Sequence, residues 1–555
     1  MDKNTLLAFF LIALVLLFTP KYMELFSPQK PPTENKSNDL TNENQTDSLP
    51  TIGDRSSFSS ELTELKGFLP LNKKDYEETI SKIETDLYTA EISSYNGGSI
   101  QTFLLKDFLN PDSLQVNTIA RNKKSNLKIE IQDLNGDQIE LDKNWVLIKE
   151  PNRLGLSSDN SLEYSFEVFP NKSIRKSFTF FPNSYTVGIE FDFSEVKDFI
   201  YRDVRFSWSG GLATTEKDSI DDKTYFKAVV YQGEELEDFK VKEGQRESKK
   251  LIGSTDWGAI RTKYFISALI PNTPETIRFV ELFGEHKNQE EYSLSFVFDC
   301  FQETSFTLYL GPLEYERVKD LGVDLDEIMD FGWSFIRPIS KAVLFSLKRM
   351  HDYIPNYGVV LIIFSVLVKV LVFPLTRKSY QSTSAMQEIQ PEVNKLRDKY
   401  KNNPQKLNQA TMQLYKTKGV NPLGGCLPML LQMPLLFALF QVFRTTIELR
   451  NEPFIWWIKD LSSPDVIVNL PFTIPLYGSH IAFLPILMAL STYAQQKMMS
   501  GSIQQPQQKM MQNFMLVFFF LIFNNFPSGL NLYYTLFNIL TIAQQKLLPS
   551  KPKTQ

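Results

Sequence analysis

Lys369 is the single charge in a 20-residue apolar run, Tyr357 to Thr376. An ammonium at the centre of a membrane-spanning helix costs about 2.5–3.5 kcal/mol on insertion scales, so its retention is a functional signal by default. Lys369 stands seven residues before Thr376, roughly 10 Å from the end of the run at about 1.5 Å per residue. Two readings stay open: the stem snorkels to the headgroups, or the charge belongs to a wet cavity. Ser365 lies four residues earlier on the same helical face. Gln432, Asn524, Asn525, Tyr533 and Tyr534 put further polar groups into neighbouring apolar runs. Converging, they would line a cavity with a positive centre, chemistry that attracts acidic segments rather than breaking bonds. Singly, each would be an interhelical hydrogen bond of about 0.6–2 kcal/mol, with Asn524 and Asn525 at the outer interface.

Bond-making chemistry finds little support. His286, His351 and His480 are scattered, and carboxylates are too abundant for any pair to stand out. There is no GxxxxGK phosphate loop, CxxC or HExxH, which points away from an enzyme, a metal or cofactor, and ATP. Cys300 and Cys426 fall in segments that read as an exported strand and a membrane span, so they are not expected to pair. A net charge of −5 argues against a general nucleic-acid binder.

A mean hydropathy of −0.20 looks soluble, yet the apolar residues are concentrated at the two ends. Thr5 to Phe18 is an uncharged run without a small-x-small cleavage site or lipobox cysteine after it, which reads as an uncleaved signal anchor. Later spans are expected at about 357–376, 421–443, 481–496, 511–526 and 530–546. Pro471, Pro475 and Gly478 break the first half of the uncharged run Val466 to Gln496, and Pro527-Ser528-Gly529 splits the 36-residue run Met510 to Gln545. Arg377 to Lys418 carries nine basic and three acidic residues, whereas Arg450 to Asp465 carries two and three. The positive-inside rule therefore puts the first loop and both termini in the cytoplasm and exports the large domain.

Residues 21–57 carry almost no large apolar side chain from position 27 onward and read as a disordered tether. Residues 58–330 show period-two alternation, as in Tyr185-Val187-Ile189-Phe191-Phe193 and Tyr292-Leu294-Phe296-Phe298, and read as a large antiparallel β-sandwich. Residues 331–356 space Ile336, Val343, Leu344 and Leu347 helically among basic residues, giving either an amphipathic helix on the outer membrane surface or a domain-packing helix. Residues 377–419 read as a cytoplasmic helical hairpin broken at Asn402-Asn403-Pro404, its charged faces either solvated or docking an anionic partner such as ribosomal RNA or lipid headgroups.

Val420-Asn421-Pro422-Leu423-Gly424-Gly425-Cys426-Leu427-Pro428, Gln432-Met433-Pro434, Phe526-Pro527-Ser528-Gly529-Leu530, Tyr533-Tyr534 and Gln544-Gln545 closely resemble the YidC family of membrane protein insertases. The resemblance is strong over about 330–548, weaker over 58–330, and follows the Gram-negative form with a large periplasmic domain. It implies a polytopic α-helical membrane protein of six transmembrane helices, five forming an insertase core (357–548), with an all-β periplasmic sandwich and a short tail, 549–555. It further implies a hydrophilic groove, open to cytoplasm and lipid, lined by Lys369, Ser365, Gln432, Tyr533 and Tyr534. The implied work is insertion and folding of inner-membrane proteins, alone or with the Sec translocon and its accessory subunits, on chains delivered by the ribosome. Where the family usually has arginine, this sequence has Lys369, which unlike arginine can lose its proton when desolvated. The short, mildly basic tail implies weak tail-mediated ribosome binding. Two rival functions remain, a small-solute transporter with a periplasmic binding domain and a membrane-anchored sugar-binding protein; the first lacks the repeated halves transporters often show, and the second rests on fold analogy.

Overall fold

The computed structural model describes residues 76–120, 126–151, 160–216, 219–287, 290–401, 403–420, 427–500 and 506–547. The expected anchor, tether and tail, and Gly424, Gly425 and Cys426, lie outside the described residues.

Alternating apolar residues build three antiparallel sheets over residues 80–312, of four, nine and six strands. Along Thr186–Asp192 the odd positions Val187 and Ile189 are buried while Glu190 and Asp192 are exposed. Along Glu290–Asp299, Tyr292, Leu294, Phe296 and Phe298 are buried. These two strands belong to the nine- and six-stranded sheets respectively, whose inner faces meet in an aromatic layer. The Phe306 ring lies 5.0 Å from Phe206, 5.4 Å from Phe296 and 5.7 Å from Phe298. Gly258 is required at the same contact, because a Cβ there would come within 2.8 Å of Leu294. Lys176 is buried in this interior without a carboxylate partner among the described residues. Its ammonium donates to the Leu127 carbonyl at 2.7 Å and faces the Phe178 ring at 5.1 Å, and burial pulls its pKa down to about 7.

Helix α1 (Arg337–His351) leads out of the sheets. Its Val343, Leu344 and Leu347 are buried, while Phe345 is exposed. Arg337 pairs with Glu327, Lys341 with Asp326 at 3.0 Å, and Lys348 bridges Glu314 at 3.4 Å and Glu448 at 3.2 Å. The helix thus packs between the β domain and the helices that follow. Burial pushes the Glu448 carboxyl up, and Lys348 opposes it.

Helix α2 runs unbroken from Tyr357 to Lys399, with Pro374 and Pro391 inside it. The apolar run and the first arm of the basic loop are therefore one element, its backbone continuing through the fall in hydropathy after Thr376. Helix α3 (Pro404–Thr417) returns alongside, capped by the Asn403 side chain on Lys406 N at 3.1 Å and tied back by a 2.7 Å Lys418–Glu392 ion pair. Helices α4 (Leu427–Thr445), α5 (Leu484–Ser500), α6 (Pro506–Phe523) and α7 (Ser528–Leu547) complete the set. Among the described residues Tyr357–Pro374 is the one segment long and apolar enough to cross a membrane by composition, with a shorter apolar stretch at Gln512–Phe523. The residues before α5 form a β-hairpin, Val466–Ile474 with Gly478–Ala482, where the sequence suggested only an interrupted apolar run.

Candidate functional site

Helix α7 carries Tyr533, Phe537, Thr541 and Gln544 on one face, spaced three or four residues apart, and lays that face along α2. The Tyr533 ring lies 6.3 Å from Phe364. The Lys369 ammonium donates to Thr541 Oγ1 at 2.6 Å and stands 4.2 Å from the centre of the Phe537 ring. Toward the helix ends, Gln544 Nε2 donates to Thr376 Oγ1 at 3.1 Å. Lys369 is 7% exposed and forms no ion pair among the described residues. Its charge is therefore stabilised by one hydroxyl and one π face, inside the seam between two helices. A cation–π contact of a desolvated ammonium contributes about 2 kcal/mol, and the remaining N–H groups keep their capacity for an incoming acceptor.

Five residues were candidates from sequence, and the structure divides them. Gln432 on α4 adjoins the Tyr533 hydroxyl, yet among the described residues Gln432 Nε2 and Tyr533 Oη each lack a hydrogen bond of normal geometry. With Lys369 they form a chain of polar atoms along one side of α7 with hydrogen-bonding capacity to spare, the local requirement for binding polar backbone or side chains. Ser365 is fully buried, but its hydroxyl donates to the Leu361 carbonyl of its own helix at 2.7 Å. Tyr534 turns the other way, its ring 5.5 Å from Phe523 on α6.

Other polar residues on α7 were not singled out from sequence. Thr541 is the partner of Lys369, and Asn538 Nδ2 donates to Ser491 Oγ at 3.1 Å and Thr492 Oγ1 at 2.9 Å, fastening α7 to α5. Their signal was available: Asn531, Thr535, Asn538 and Thr541 recur every three or four residues in an uncharged run. Asn524 serves structure instead. It is fully buried, donates to the Tyr477 and His480 carbonyls at 2.8 and 2.7 Å and accepts from Ala482 N at 3.0 Å. Asn525 donates to the Leu476 carbonyl at 3.1 Å.

The loop after α4 closes one end of this bundle. Asp465 accepts from Trp457 Nε1 at 3.0 Å and from the first amide of α5, Leu484 N, at 2.8 Å, so it caps that helix. Burial raises its pKa against those hydrogen bonds. Arg450, 7% exposed, pairs with Glu216 of the β domain at 2.8 Å and lies over Phe265 at 5.5 Å.

Helices holding a buried cation among polar side chains, beneath a large all-β domain, define a membrane-embedded helical protein with a separate globular module. Comparison with known proteins gives the same two parts. Residues 349–555 match the family described as 60Kd inner membrane protein, and residues 81–343 match the YidC periplasmic domain. The membrane protein insertase YidC of Chlorobium luteolum is 34% identical, over 98% of this chain and 94% of its own. That of Chloroherpeton thalassium is 33% identical, over 100% and 97%. A crystal structure described as an active YidC insertase with its first transmembrane domain resolved covers 89% of this chain at 15% identity and a TM-score of 0.36, too low to bear on the geometry. The chain belongs to the YidC family of membrane protein insertases.

Proposed function

We infer that this protein is a membrane protein insertase of the bacterial inner membrane, and that its substrates pass along the polar side of α7 beside Lys369. Family membership supports the activity. The observation that carries the path is the pair Gln432 Nε2 and Tyr533 Oη, buried without a hydrogen bond of normal geometry among the described residues against α7, whose Thr541 holds Lys369, since such atoms cost about 1–3 kcal/mol each unless something binds them. Ser365 and Tyr534 complete the proposed groove in supporting positions, Ser365 one turn from the lysine and Tyr534 setting the packing of α6.

In this reading a nascent chain presents the polar segment that precedes its first apolar stretch. The seam opens, Lys369 exchanges its Thr541 contact for a substrate carboxylate, and the tyrosine and glutamine bond the substrate backbone. The exchange replaces a bond in which only the donor is charged with an ion pair, adding Coulomb attraction to the hydrogen bond. Roughly 20 apolar substrate residues then partition into lipid, which supplies the drive without a nucleotide. The proposed topology has six spans, an anchor at 1–20 and five from 357 to 548, with both termini cytoplasmic and residues 58–330 periplasmic. The ribosome meets the hairpin 377–419, and the Sec translocon with its accessory subunits is a second source of substrates. Neither an enzymatic step nor a cofactor enters.

The test is photo-crosslinking from Ser365, Gln432 and Tyr533 to a ribosome-bound nascent chain with one transmembrane segment. Adducts there, absent from the exposed controls Val370 and Val517, are expected. Adducts only at the controls, with the protein folded and abundant, would overturn the path.

A further inference from the structure

The hairpin Val466–Ile474 and Gly478–Ala482 has an unusual surface for a protein ribbon. A two-stranded ribbon in water keeps at least one face polar. Here Val466, Ile467, Val468 and Phe472 are exposed, so apolar side chains project from both faces of the strand, and Leu476 is exposed at the turn. Between Val466 and Gln496 there is no Asp, Glu, Lys or Arg. The one histidine of the hairpin, His480, is engaged, its Nε2 3.0 Å from the Asn524 carbonyl oxygen.

Its position is fixed as firmly as its composition. Asn524, just past the end of α6, holds the Tyr477 and His480 carbonyls and the Ala482 amide. The Tyr477 ring lies 5.5 Å from Phe520 of α6, and Asp465, the residue before the first strand, caps α5. The ribbon therefore continues directly from the ends of two helices, the start of α5 and the end of α6.

We propose that this hairpin is a lipid-binding element that lies in the outer headgroup and upper acyl region of the bilayer, anchoring the α5–α6 corner to the membrane. The inference rests on the reading of α5 and α6 as membrane spans. Lipid suits the surface better than a protein partner because the patch has apolar side chains on both faces and no charge to set an orientation, whereas protein interfaces carry a polar rim. The depth follows from the backbone. Two strands leave two open edges, which cannot enter the hydrocarbon core but are satisfied by interfacial water, and Pro471 removes one amide from the longer strand. Trp456, exposed on the same side of α4 and stacked on Trp457, which meets Phe483 at the hairpin's base, adds an aromatic of the kind that favours this zone.

The full chain, carrying Cys300→Ser and Cys426→Ser, is spin-labelled singly through Ile467→Cys, Phe472→Cys, Val517→Cys or Glu235→Cys and reconstituted in vesicles of phosphatidylethanolamine and phosphatidylglycerol. Collision rates with oxygen and with a water-soluble nickel chelate are then measured. The expected oxygen-to-nickel ratio at 467 and 472 is several-fold above that at 235, on the β domain, and below that at 517, within α6. A ratio at 467 and 472 equal to that at 235 overturns the proposal in favour of a hairpin in water. Immobile labels shielded from both reagents overturn it in favour of protein packing. If 517 also reads as water, the span reading fails and this inference with it; if 517 reads as lipid while 472 does not, the hairpin inference fails alone.

Discussion

A lysine at this place in α2 makes one hydroxyl matter more than it would for an arginine. Guanidinium carries five donors and spreads its charge; the Lys369 ammonium stands on Thr541 and the Phe537 ring. Thr541→Val removes the hydrogen bond and keeps the shape, leaving a buried charge with a π face alone. The expected cost is about 1–3 kcal/mol in the folded state, read as a lower melting temperature of the protein in detergent, while Lys369→Met with Thr541→Val recovers much of it. Recovered stability is not recovered function: Lys369→Ala with Ser365→Ala is expected to fail in rescuing growth and insertion after depletion of the native insertase, and Lys369→Arg to succeed. Growth of the double alanine variant at the wild-type rate would remove the lysine from the mechanism. Another buried lysine, in the β domain, gives a pH signature. Burial lowers the pKa of Lys176 to about 7 from its ordinary 10.5, so between those values the unfolded chain holds more protons than the folded one. Stability should therefore rise as pH rises from about 7 to 10.5, by at most about 1.4 kcal/mol per pH unit, and flatten below 7. Lys176→Met should remove that component, as denaturant midpoints across the range would reveal.

At the scale of elements, the turn of the outer hairpin depends on Gly478, whose φ of +97° favours glycine and whose added Cβ would meet Asn525 Oδ1 at 2.5 Å. Gly478→Ala is expected to cost about 1–3 kcal/mol locally, seen as faster amide exchange over 466–482 with the β domain unchanged; slow exchange there would show that the turn adapts. This hairpin also marks where reading the sequence stops. The β domain was legible because burying one face of each strand writes a period of two into residues such as Val187, Ile189 and Glu190. The hairpin was not, because an uncharged run with Val466-Ile467-Val468 reads equally as strand or as membrane helix. The reach of α2 to Lys399 was hidden for a related reason: hydropathy reports the surroundings of a segment, and backbone hydrogen bonding continues through a change of solvent. In the site, Lys369, Gln432 and Tyr533 stood out because charge and amide are conspicuous in apolar runs. Thr541 and Thr376 did not, since a threonine in a helix ordinarily bonds to its own backbone, as both also do here.

At the scale of the whole molecule, the β domain and the helices meet through few polar contacts, and Arg450 is the most enclosed of them. Its pair with Glu216, with Asn451 Nδ2 donating to the Leu109 carbonyl at 3.1 Å, joins the loop after α4 to two separate parts of the β domain. Arg450→Met leaves the Glu216 carboxylate without its partner, a loss on the order of 2 kcal/mol for a largely buried pair. The expected readout is a split of one thermal transition into two, with exchange rising first at 214–216 and 447–465; a single unshifted transition would show that α1 alone couples the parts. The unbroken α2 has a mechanical side as well. At about 1.5 Å per residue, its 43 residues make a rod of roughly 65 Å, with Lys369 about 45 Å from the tip at Lys399. A rod of that length is a lever: a sideways push on the basic hairpin at its far end arrives in the α2–α7 seam as a change of tilt, felt at the contact of Thr541 with Lys369.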